Sequence, residues 1–107
     1  MLEFTNLRDY TIDHYGIDIV KRSRKMDNVR LRQAISTILY TLVGYKAVEI
    51  GRQLKSDHTM VVYYRNTHDI RYRFDPRYAE MYDELSKLVR PSEESVRNII
   101  NYIRNIC

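Results

Sequence analysis

Asp57, His58 and Thr59 stand in line and bring a carboxylate, an imidazole and a hydroxyl into one stretch of the chain. These are the groups of a nucleophilic triad, but successive residues on a helix point about 100° apart and cannot converge on one proton. No loop able to hold an oxyanion accompanies them. His14, His58 and His68 are scattered, and Cys107 is the one cysteine, so neither a metal site nor an internal disulfide is expected. The chain also lacks a Gly-x-x-x-x-Gly-Lys-Ser/Thr phosphate loop. The expectation is a protein without enzymatic activity and without a cofactor, whose polar residues serve recognition.

Charge supports that direction. The 107 residues carry 18 Lys and Arg against 14 Asp and Glu, a net charge of +4. Its distribution is uneven. Residues 1–20 hold one Arg against four acids, residues 21–73 hold twelve Lys and Arg against four acids, and residues 74–107 hold five against six. The densest part is Lys21-Arg22-Ser23-Arg24-Lys25, followed by Arg30 and Arg32. A basic centre between acidic flanks fits a surface facing a polyanion.

The elements that must position these residues read as helices. Leu31, Ala34, Ile35, Ile38, Leu39, Leu42 and Val43 repeat at helical spacing, and Gly44 supplies a left-handed stop. Tyr78, Met81, Tyr82, Leu85, Leu88 and Val89 form a second stripe behind Asp75-Pro76 as a start signal. Val96, Ile99, Ile100, Ile103 and Ile106 form a third, opened by Pro91-Ser92-Glu93-Glu94. The first fifteen residues read as a helix ended by Gly16, and Asp18-Ile19-Val20 as the start of a short helical turn. Lys46 to Leu54 reads as a short helix, Lys55-Ser56 as a turn, and Asp57 as the cap of the next helix. No strand pattern is found, and three Gly and two Pro are too few for an all-β chain of tight turns. The expected fold is all-α, six to seven helices in a single domain spanning 1–107. Two short helices joined tightly around residue 56 describe a helix-turn-helix, whose second helix reads the major groove with its first turn.

These residues resemble a known family. From about Leu7 to Val89 the chain is similar to the C-terminal DNA-binding domain of DnaA, the bacterial replication initiator. The basic loop followed by Arg30-Leu31-Arg32-Gln33 resembles the family's Arg-Pro-Arg-Gln. Glu49-Ile50-Gly51 stands at the family's spacing, and Asp57-His58-Thr59 with Val61-Val62 opens the reading helix. Residues 1–90 are thus expected to form a DnaA-like domain and 91–107 an additional helix. Departures are Leu31 for Pro, Ser56 for Arg or Lys, Met60 for Thr, Ser or Val, Tyr64 for Ser or Ala, Thr67 and His68 for a charged residue and an aliphatic, and a turn before Asp57 one residue shorter. The nucleotide-binding domain of the family has no counterpart here.

The resemblance implies binding of double-stranded DNA, with Arg24 entering the minor groove and Arg22 and Lys25 on phosphates. It implies Asp57 accepting from a cytosine amino group and His58 donating to a base or phosphate oxygen. Thr59 would meet a thymine methyl or a phosphate, and Met60 would pack on thymine methyls. Arg32, Gln33, Lys46 and Lys55 are expected to fix register through phosphates. On the reading helix, Val61, Tyr64, His68 and Tyr72 should face the core, leaving Thr59, Tyr63 and Asn66 toward DNA. His14 and His68 read as structural, and Tyr78 and Tyr82 as core. Longest apolar runs near four residues cannot span a bilayer, and no signal peptide is read, so the expected location is the cytoplasm. The chain is expected to be a monomer, or a weak dimer through its C-terminal helix. The expected role is regulation of replication or transcription. The alternative is an adaptor of the same fold that binds replication proteins, motivated by the replacements at Ser56, Met60, Tyr64 and His68.

Overall fold

The computed structural model describes residues 1–21 and 23–89, and these are helical without a strand. Five α-helices follow in order: α1 (Leu2–Tyr15), α2 (Met26–Ile38), α3 (Ala47–Leu54), α4 (His58–Phe74) and α5 (Pro76–Ser86). The helix expected from Ser92 lies outside the described residues. The turn expected at Asp18-Ile19-Val20 is a single one that does not extend into a helix: the Asp18 carbonyl accepts from the Lys21 N–H at 3.1 Å and the Asp18 carboxylate from the Val20 N–H at 3.1 Å.

α2 is the centre of the molecule, packed against α4, α5 and α1. Every residue from Leu31 to Leu39 is buried, which requires partners on all sides of the helix. α2 starts at Met26, before the apolar stripe, and runs on as a π-helical turn over Leu39–Val43. Gly44 and Tyr45 both donate to the Leu39 carbonyl at 3.0 Å, and the left-handed φ of Gly44 (94°) ends the segment.

Around this axis lie Phe4 and Leu7 of α1, Ile50 and Leu54 of α3, Val61 of α4, and Tyr78, Met81 and Leu85 of α5. Ile19, from the connection after α1, is fully buried among them. Asp75 serves both α4 and α5: it ends the first, and its carboxylate accepts from the Tyr78 N–H at 3.2 Å to cap the second, with Pro76 in the first turn. Arg30 of α2 donates to Asp75 at 2.9 Å and to Asp27 at 2.9 Å, fastening that corner to the central helix. At the other end, Glu84 of α5 accepts from the Tyr10 and Tyr15 hydroxyls of α1.

Candidate nucleic-acid interface

α3 and α4 meet across a turn of very close backbone approach. Ser56 N–H donates to the Gly51 carbonyl at 2.8 Å, and a Cβ at Gly51 would sit 2.7 Å from the Ser56 carbonyl oxygen. No side chain fits there, which is why Glu49-Ile50-Gly51 ends in glycine. Lys55 takes the left-handed conformation, φ 53°, that reverses the chain. Asp57 then caps α4 by accepting from the Thr59 N–H at 3.0 Å, and this bond holds the Asp57 carboxyl below the usual carboxylate range. The His58 ring lies 3.1 Å from the same carboxylate. Asp57, His58, Thr59 and Met60 are all exposed.

The basic loop between α1 and α2 is anchored at three points. Arg8 of α1 makes a two-bond fork to Asp18, 2.8 Å in each bond, and this contact depresses the Asp18 carboxyl. Asn28 of α2 donates to the Lys21 carbonyl at 3.2 Å. One turn later, Arg32 donates to the Ile19 carbonyl and, at 3.2 Å, to the Leu54 carbonyl. Asn28 and Arg32 thus draw the base of the loop onto the same side of α2 that receives the end of α3. Within the loop the Ser23 hydroxyl accepts from the Lys25 N–H at 3.2 Å, and Lys21, Arg24 and Lys25 are exposed.

The loop and the opening turn of α4 therefore border one cleft of about 540 Å³. Ser23 and Arg24 line it from the loop, Ser56 and Met60 from the turn and the helix start, and Asn28, Arg32 and Tyr64 are the buried residues beneath. Tyr64 is 8% exposed, so its bulk fills the space under the cleft. A neighbouring hollow on the same helix start is lined by Asp57, Thr59, Met60 and Tyr63.

Two expected phosphate contacts are corrected. Arg32 is 6% exposed and Gln33 1%. The Arg32 guanidinium is spent on two backbone carbonyls, and the Gln33 amide donates to the Tyr64 carbonyl at 3.0 Å and to the Thr67 hydroxyl at 3.1 Å. Both are pins between elements, Arg32 for the loop and α3, Gln33 for α4. Lys46 and Lys55 are exposed, Lys46 just before α3 and Lys55 in the α3–α4 turn. Tyr63 is exposed, as are Thr59 and Asn66, while Val61 and Tyr64 face inward. Arg22 lies outside the described residues.

His68 is structural, as expected. Its Nδ1 lies 2.6 Å from the Tyr78 hydroxyl and its ring packs against Tyr72, Tyr78 and Tyr82, and burial pushes its pKa below the ordinary histidine value. His14 stacks on Tyr10 with ring centroids 3.8 Å apart. Sequence reasoning missed Ser23, Asn28 and Ser56 as cleft residues. The signal for Asn28 is its i, i+4 spacing to Arg32 directly after the basic loop, which puts two polar side chains on one otherwise buried helix face. Among the described residues no group of His, Cys, Asp and Glu could hold a metal ion, and no helix is long and apolar enough to cross a membrane. No protein-family model, curated protein or solved structure matches the chain.

Proposed function

We propose that this chain binds double-stranded DNA with sequence preference, through a helix-turn-helix formed by α3 and α4 that is similar to the DNA-reading end of DnaA. The first turn of α4 would enter the major groove with Asp57, His58, Thr59 and Met60, and Arg24 the adjacent minor groove. Lys25, Lys46 and Lys55 would lie along the phosphates. The role is recognition without bond-making, in the regulation of replication or transcription. The observation that carries this reading is the single cleft shared by the basic loop and the start of α4. Groups on its two sides can engage neighbouring grooves of one duplex, where either element alone would be only a charged surface.

Salt titration of duplex binding, read by fluorescence anisotropy, tests it. With about six phosphates neutralised, log affinity falls with log salt at a slope near −5. Selection of bound duplexes from a random pool should then yield a common site. Absence of binding to any duplex, or binding indifferent to salt, would end the proposal.

The second reading, an adaptor that binds a replication protein, is favoured by the apolar part of the same surface. Met60, Val62 and Tyr63 are exposed together on the first turns of α4, and aromatic residues and Met are enriched in protein interfaces. Capture of a protein partner that survives nuclease and high salt would favour it.

A further inference from the structure

We propose that the outer face of the C-terminal half of α4 is a self-association surface, on which a second copy of this chain docks antiparallel. Ile70 of each copy lies against Phe74 of the other, and Asp69 of each against Arg73 of the other. The inference is independent of the DNA reading.

α4 buries only Val61 and Tyr64. Its other side ends in Ile70, 65% exposed, and Phe74, 74% exposed, two large apolar side chains one turn apart on the same stripe. Beside them run Asp69 and Arg73, both exposed. Among the described residues neither belongs to an ion pair, in contrast to Arg8, Arg30 and Arg71, which are all engaged by carboxylates. The face thus offers an apolar row and, next to it, an acid and a base at i, i+4.

That pattern is self-complementary in one orientation. A twofold axis passing beside residues 71 and 72 reverses the second helix and sets residue 70 against 74 and 69 against 73, both ways at once. The 70–74 pairing centres on residue 72 and the 69–73 pairing on residue 71, so the two ideal registers differ by about 3 Å of slide; an axis midway leaves each pair about 1.5 Å from level, which the lengths of the Arg and Phe side chains absorb. Parallel docking about a twofold axis would set the Asp69–Arg73 rows of the two copies on opposite flanks of the seam, where they cannot pair. A twofold contact requires this reciprocity, with residue i on j and j on i. The patch spans about two helical turns and stays below the ~800 Å² per partner of a standard stable interface, so the dimer is concentration-dependent. Thr59 lies roughly 16 Å along the helix from Ile70, so the opening turn of α4 remains uncovered.

Sedimentation velocity of the full chain over about two decades of concentration tests this, with circular dichroism to confirm that each variant stays helical. The average mass should rise toward twice the monomer value. Asp69→Arg and Arg73→Asp should each weaken association by about tenfold, and the double variant should restore it, because the pair is reformed with its signs exchanged. Phe74→Glu should leave a monomer. A chain that is monomeric throughout would overturn the proposal. So would a dimer unchanged by Phe74→Glu, or one that the charge reversals weaken without rescue by the double variant.

Discussion

Helices α2 and α4 both carry residues that the sequence marks for DNA, and the two helices treat them in opposite ways. Of the 13 residues of α2, nine are buried; of the 17 residues of α4, two are. Arg32 and Gln33 turn inward from α2 and are used up on carbonyls and a hydroxyl, while Asp57, His58 and Thr59 open α4 in the solvent. The environment of its helix decides what a polar residue beside a motif does. From Leu31 onward the central helix has no outward face, so Arg32 and Gln33 have to find partners inside. A helix packed along one edge keeps its first turn free for a ligand.

The largest effect is expected at Arg32. Arg32→Ala leaves the Ile19 and Leu54 carbonyls without their buried donor and opens space under the cleft, at a cost of roughly 3 kcal/mol in unfolding free energy. Arg32→Lys should recover only part of this, since one ammonium does not replace a planar fork across two carbonyls. Urea denaturation checks the loss, and the salt slope of DNA binding, measured well below the unfolding midpoint, should stay unchanged. A stable variant with a shallower slope would instead return Arg32 to the phosphates and erase the contrast. Gly51→Ala comes next, at about 1–3 kcal/mol, because the methyl group meets backbone at Ser56 that cannot yield without spreading α3 from α4. The same denaturation series reads it.

The legible parts of this fold are those encoded by local pattern. Gly16 and Gly44 as left-handed stops, Asp57 and Asp75 as caps, and Pro76 as a first-turn residue each act within one helical turn, and each is where periodicity and capping chemistry put it. The start of the inward side of α4 was legible too, since Val61 and Tyr64 follow one stripe, but Tyr72, expected to continue it, is 39% exposed near the end of the helix. The fates of Arg32 and Gln33 were not, because their partners are 13 and 22 residues away for Arg32 and 31 for the nearer of the two on Gln33. Burial of a polar side chain depends on what packs over it, and that is a property of the assembled helices. The π-helical turn at Leu39–Val43 escaped for the same reason, as it alters the register of a stripe whose residue types suit either helix. For the loop, composition revealed its charge, but its orientation toward α4 rests on Arg8, Asn28 and Arg32 acting across three elements.

On the exposed side of the comparison the expected effects are smaller and fall on binding. Arg24→Ala should leave the unfolding midpoint unchanged, lower duplex affinity about tenfold and reduce the salt slope by about 1, with the loss greatest at A·T-rich flanks. Asp57 sharpens the point because it has two duties. Asp57→Asn keeps an acceptor for the Thr59 N–H and should preserve the melting temperature, whereas Asp57→Ala removes the cap and lowers it. Both should change base preference in a selection experiment, so a variant at this position separates helix capping from reading.

The smallest expected effect is a pH dependence that arises away from the cleft, between α4 and α5. His68 is half-buried among three tyrosines, and burial depresses its pKa from the ordinary value of 6.5. The unfolded chain therefore takes up this proton first as pH falls. Stability should decline as pH drops through about 6.5 and stop declining from this source once the folded His68 is also protonated. Asp18, Asp75 and Glu84 act in a different window. Arg8 lowers Asp18, the Tyr10 and Tyr15 hydroxyls lower Glu84, and at Asp75 the bond from Arg30 with its neighbours outweighs the upward push of burial. Their contributions are complete above the ordinary carboxylate values of 3.8 and 4.5 and are lost only as pH falls through the lower folded values. Thermal melts between pH 7 and pH 5 isolate the histidine. His68→Gln keeps a partner for the Tyr78 hydroxyl and cannot titrate, so it should flatten the curve in that interval while leaving the acid limb in place. An unaltered slope would mean that the proton enters elsewhere and that the α4–α5 seam holds equally well with His68 charged.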